Sequence, residues 1–115
     1  MASMTTAEAN QAATNLSTNY PYASLYTTAP TQAAAGTEVT GGAPAYARKL
    51  VVWGAATGGV ITGTCTFDVP TAISVVGLGL NSLVTAGVYG WGATVTTQAY
   101  ASQGTYAATI TVTFA

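Results

Sequence analysis

Apart from its tyrosines, the chain carries six ionisable side chains: Glu8, Glu38 and Asp68, the cations Arg48 and Lys49, and the thiol of Cys65. Histidine is absent, which removes the usual proton carrier at neutral pH and every Ser-His-Asp or Cys-His nucleophile. A paired-carboxylate mechanism would have to draw on Glu8, Glu38 and Asp68, which fall in a predicted helix, a loop and a strand end. The sequence therefore reads as non-enzymatic, with no catalytic residue.

One cysteine without histidine or a CxxC pair makes neither an internal disulfide nor a soft-metal site, so Cys65 reads as a small buried hydrophobe. Gly77-Leu78-Gly79-Leu80-Asn81-Ser82 approaches the dinucleotide fingerprint, but no helical pattern and no acidic residue follow it. A glycine-bearing strand and turn is the better reading. Asn15-Leu16-Ser17 matches the glycosylation triplet, too short a pattern to carry weight. No cofactor and no metal are expected.

Two features remain. A guanidinium in so neutral a chain seeks a carboxylate, and Glu38 is the expected partner of Arg48, clipping the loop at 28–45 to the strand that follows it. Trp53 and Trp91 each precede a glycine. They suit core packing, a subunit interface, or a platform for a sugar.

Composition narrows the class of partner. The 115 residues are 50% hydrophobic but only 4% charged, with a formal net charge of −1, against about 25% charged in ordinary soluble domains. From Val69 to Ala115 there is no charged side chain. Nucleic acid is excluded as a partner, because phosphate binding needs clustered Lys and Arg. A free domain normally keeps a charged surface that opposes association. Its lack here points to direct packing in an assembly or to neutral ligands.

A membrane span is also not expected. The apolar stretch at 72–91 is interrupted by Gly77, Gly79, Asn81, Ser82, Gly87 and Gly90 and has no flanking Lys or Arg. Residues 1–20 lack the basic start and apolar core of an export signal.

The elements that must position these residues follow from spacing. Residues 5–18 form the one predicted helix, with Thr5 and Glu8 as a capping box and a thin apolar face of Ala9, Ala12, Ala13 and Leu16. Strands are predicted over 22–27, 46–53, 61–69, 73–80, 84–91, 95–100 and 108–114, with a long loop at 28–45. The clearest pattern is strict alternation: Ile61, Gly63, Cys65, Phe67 and Val69 on one face, Thr62, Thr64, Thr66 and Asp68 on the other. The final strand repeats it, with Ile110, Val112 and Phe114 inward and Thr109, Thr111 and Thr113 outward. The predicted fold is all-β, an antiparallel β-sandwich of about seven strands with a short N-terminal helix or arm. The domain division is an arm at 1–20 and a sandwich at 21–115.

Several motifs together give a resemblance. Leu25-Tyr26-Thr27 with Pro30, Gly36-Thr37-Glu38-Val39-Thr40-Gly41-Gly42, Tyr46-Ala47-Arg48, and Val51-Val52-Trp53 with Gly54 after it follow one another along the chain. In that pattern the chain resembles the small virion structural proteins of tailed bacteriophages, the minor tail or head decoration type of actinobacteriophages. The match spans about residues 5–67. Ala43-Pro44-Ala45 lengthens the loop relative to the family pattern.

The resemblance implies a non-enzymatic virion protein, a capsid decoration or minor capsid subunit at the capsid surface in preference to the tail. It also implies a homo-oligomer, expected as a trimer, with major capsid or tail proteins as partners. The alternative is a tail-fibre or tail-tip module that binds host-surface glycan through Trp53, Trp91 and neighbouring polar groups.

Overall fold

The computed structural model describes residues 4–114, so the predicted arm and the sandwich domain each extend beyond the described residues, at 1–3 and at 115. One helix, α1 (Thr6–Asn19), precedes seven strands: β1 (Tyr22–Tyr26), β2 (Lys49–Leu50), β3 (Val52–Trp53), β4 (Val60–Val69), β5 (Ile73–Asn81), β6 (Tyr89–Tyr100) and β7 (Gly104–Thr113). They form two antiparallel sheets, β2-β1-β5-β6 and β3-β4-β7, packed as a β-sandwich.

The helix starts where the sequence says it should. Thr5 is extended and its Oγ1 accepts the amide of Glu8 at 3.2 Å, satisfying one of the orphan donors of the first turn. Its narrow apolar face buries Ala9 and Ala13. Asn10 Oδ1 accepts the amide of Gly59 at 2.7 Å, tying the helix to the turn before β4. A side chain at Gly59 would run into Ala9 and the Phe114 carbonyl, so that close approach requires glycine.

The core lies between the sheets. Leu25, Leu78 and Leu80 come from one, and Ile61, Phe67, Val69 and Ile110 from the other. The alternation predicted for 61–69 is present: Ile61, Gly63, Phe67 and Val69 are buried while Thr62, Thr64 and Thr66 are exposed. Cys65 departs from it slightly, being half-buried rather than buried.

Two predicted strands are corrected. The segment 46–53 is not one strand but two short ones, and they belong to different sheets. Val51 sits between them and is 5% exposed. The chain crosses from sheet to sheet there with that side chain in the core, and Val51 N donates to Pro21 O at 3.0 Å. Residues 46–48 precede both strands as loop.

The predicted strand 84–91 is instead a loop through Val88 followed by the start of β6, which runs unbroken through the predicted 95–100 strand. Ala86 at φ 59° and Gly87 at φ 76° turn the chain there, a conformation no strand allows. The total stays at seven because one predicted strand splits and two others merge.

Candidate functional site

The outer edge of β1 is shared by two pieces of chain. Near its start β2 pairs with it, Tyr22 opposite Leu50 and Ala23 opposite Lys49. Near its end the long loop takes over: Tyr26 bridges Glu38, and Val39 N donates to Leu25 O at 3.0 Å. Further bonds hold the loop, Thr27 N to Thr37 O at 2.8 Å and Thr37 N to Thr28 Oγ1 at 2.7 Å. Glu38 and the residue leading into β2, Arg48, are therefore delivered to the same edge.

The sequence-predicted pair is brought together there. Arg48 Nε donates to Glu38 Oε2 and Nη2 to Oε1, both at 2.9 Å, a two-pronged ion pair whose side chains are 13% and 26% exposed. The hydrogen bonds to Glu38 raise the guanidinium's pKa further, against the opposing effect of burial. The remaining prong reaches out of the predicted clip: Nη1 donates to the carbonyls of Leu83 at 3.1 Å and Ala86 at 2.6 Å. One side chain thus fastens three segments, the 28–45 loop, the approach to β2 and the β5–β6 loop.

Tyr46 completes the cluster, a role that sequence reasoning missed although the residue stood in the Tyr46-Ala47-Arg48 motif. Its hydroxyl donates to Glu38 Oε2 at 2.7 Å and accepts the amide of Leu25 at 2.9 Å, and its ring stacks on Phe67 at 6.1 Å between centroids. Burial pushes the phenol far above its ordinary pKa; the Leu25 amide pulls the other way, and Glu38 adds to the rise. Both oxygens of Glu38 are occupied by donors, so its chemistry is that of a structural anion. A cleft of about 300 Å³ opens beside the cluster, with Val84, Thr85 and Ala86 on its far wall.

A second polar network was also not predicted. Asn81 Nδ2 donates to Ser24 Oγ at 2.6 Å and Ser24 Oγ donates to the hydroxyl of Tyr26 at 2.8 Å, all within the buried part of the sheet. Glycines make room for it: a Cβ at Gly79 would lie 2.7 Å from the Tyr26 ring. Tyr26 meets Tyr89 edge to face at 6.2 Å. Only the local cue of two hydroxyl residues at a spacing of two hinted at this.

Trp53 and Trp91 are both half-buried and pack against the core. Trp91 lies opposite Leu80 and Trp53 opposite Gly63, each partner being an inward position. The Trp53 indole N–H is buried without a hydrogen-bond partner. A recess of about 270 Å³ nonetheless borders Trp91, walled by Thr31, Gln32, Tyr89 and the glycines on either side of the tryptophan.

Outside the Glu38, Arg48 and Tyr46 cluster the charged side chains are Glu8, Lys49 and Asp68, and much of the remaining surface is apolar or hydroxylic. Leu50 and Val52 are 62% and 73% exposed, and Leu83, Val84 and Val88 stand out on the β5–β6 loop. Among the described residues no group of His, Cys, Asp and Glu is arranged to hold a metal, and no helix is long and apolar enough to cross a membrane. No protein-family model, curated protein or solved structure matches the chain.

Proposed function

We infer that the chain is a structural subunit of a bacteriophage virion, a non-catalytic decoration or minor capsid protein that coats the particle in association with copies of itself and with major capsid or tail proteins. The observation that carries this reading is the disposition of charge. Of five charged side chains in the sequence, Glu38 and Arg48 are consumed in an internal fastening. The outward faces of β4 and β7 are mostly threonine, and apolar side chains stand exposed at Leu50, Val52, Leu83, Val84 and Val88. Such a surface suits burial against neighbouring subunits better than isolated life in solution. The order of the Leu-Tyr-Thr, Gly-Thr-Glu-Val-Thr-Gly-Gly and Tyr-Ala-Arg motifs adds the phage context.

The test is localisation on the particle. Antibody labelling of purified virions followed by electron microscopy should decorate the head surface. Labelling of the tail would move the protein to the tail class, and particles that lack it would refute the reading.

The recess beside Trp91 favours a second reading, a tail-tip module that binds a neutral host glycan. It combines aromatic walls with the Gln32 amide and the Thr31 hydroxyl and carries no charge. Glycan-array binding abolished by Trp91→Ala would support this alternative.

A further inference from the structure

Each sheet of a sandwich has two edges, and this chain treats its four edges differently. β2 and β3 are two residues long, too short to template another strand. β6 is twelve residues long but bulged twice against β5: Val95, Thr96 and Thr97 stand opposite Val76 alone, and Gly90 has no opposite residue. Bulges bend and twist an edge away from further pairing.

β7 has none of these protections. It runs ten residues from Gly104 to Thr113 in unbroken register with β4. It contains no proline and no charge, and among the described residues no strand pairs with its outer side. Next to its first residues the sandwich is open, with a cleft of about 560 Å³ between Thr105, Tyr106 and Ala107 of β7 and Thr96, Gln98 and Tyr100 of β6.

We propose that β7 is the junction through which two copies of the chain join, β7 against β7 antiparallel, so that their two three-stranded sheets become one. This rests on the reading of the chain as a self-associating subunit and names its contact surface. The strand is self-complementary. With Thr109 opposite the same residue of the second copy, Thr105 faces Thr113 and Ala107 faces Thr111 on the exposed side, while Tyr106 faces Val112 and Ala108 faces Ile110 on the core side. Hydroxyl meets hydroxyl or methyl, apolar meets apolar, and no like charges oppose. Alternate residues of β7 point their N–H and C=O groups away from β4; apart from the Thr105 carbonyl, which accepts from the Tyr100 hydroxyl at 2.8 Å, these outward groups find partners on a second extended, uncharged strand.

The junction is two-fold and yields a dimer, whereas the family resemblance implies a trimer, so mass in solution separates the two. Light scattering of the purified protein is expected to give twice the chain mass. Thr109→Lys, which places two like charges face to face at the centre of the junction, is expected to give the monomer mass while still unfolding cooperatively, with a melt that no longer depends on protein concentration. Thr64→Lys is the control, equally exposed but one strand in from the edge, where it pairs with Thr109; it should remain dimeric.

A crosslink supplies a second, independent readout in a Cys65→Ala background. Thr109→Cys is expected to form an intermolecular disulfide, since the two copies lie about 5 Å apart there, and Thr64→Cys is not, being about 14 Å from its counterpart. A trimer or a monomer for the unsubstituted chain, or an assembly that survives Thr109→Lys without a crosslink at 109, overturns the β7 junction. Those results leave the virion reading standing, because that reading falls only if purified particles lack the protein.

Discussion

The Tyr46 hydroxyl and Arg48 Nε donate to the same carboxylate oxygen, Oε2 of Glu38, at 2.7 and 2.9 Å. That shared acceptor makes the three residues one unit. Arg48 adds the carbonyls of Leu83 and Ala86, and Tyr46 adds the Leu25 amide and the Phe67 ring. A loop, a crossing segment and a hairpin tip are thereby fixed to β1 in a chain that has almost no other charge to spend.

The first prediction concerns coupling within that unit. Arg48→Met should lower stability by about 2 kcal/mol, because it leaves a largely desolvated carboxylate without its ion-pair partner and frees two carbonyls. Glu38→Gln should cost a similar amount, and the double variant clearly less than the two losses combined. Urea denaturation of the four proteins measures this, and additive losses would show that the residues act separately.

Tyr46 gives a pH dependence whose sign follows from its raised pKa. Below the ordinary phenol value of 10.0 the group is neutral in both states and its contribution is fully present. Above that pH the unfolded chain loses the proton first, so stability falls as pH rises toward the folded pKa, by up to about 1.4 kcal/mol per pH unit for this one group. Tyr89, Tyr100 and Tyr106 are raised by burial and act in the same direction. Tyr46→Phe should cost about 1 kcal/mol at neutral pH and show a shallower alkaline decline in denaturant midpoints; an identical decline would show that Tyr46 does not contribute to it.

Cys65 should be slow to react. Burial pushes its thiol up from 9.0 to about 11, with Lys49 pulling weakly the other way. Those two pKa units imply a thiolate population lower by on the order of 100-fold at pH 8 than in the unfolded chain. Thiol-reagent kinetics in buffer and in guanidinium chloride should differ by about that ratio, and equal rates would contradict the placement of Cys65 against the core.

Glycine at 63 is a packing requirement. An added methyl would collide with Val51 Cγ1 and lie 2.7 Å from the Trp53 ring, so Gly63→Ala should cost about 1 to 3 kcal/mol through overpacking. Gly54→Ala meets only the Thr62 carbonyl at 3.5 Å and should change stability by less than about 0.5 kcal/mol. Thermal melts of the two variants make the comparison.

The parts of this fold that were legible in the sequence are those specified locally. Alternation placed Ile61, Phe67 and Val69 on the core side, and the Thr5–Glu8 spacing located the start of α1. Glu38 and Arg48 could be paired because there was so little else for either to meet.

What escaped depends on tertiary structure. Val51 looks like the middle of a strand, yet its burial carries the chain from one sheet to the other. Val84 to Val88 has strand-forming residues, but Arg48 claims the carbonyls of Leu83 and Ala86, so the segment folds as a loop. The phenol of Tyr46 gave no local sign of its task, because its partners Leu25 and Glu38 lie 21 and 8 residues away.

The proposed role as a stoichiometric coat component of a virion is read most plainly from the chain's copy number in purified particles by quantitative mass spectrometry. A decoration or minor capsid subunit predicts a fixed ratio to the major capsid protein, set by the symmetry of the shell. Its absence from the particles would refute a coat role.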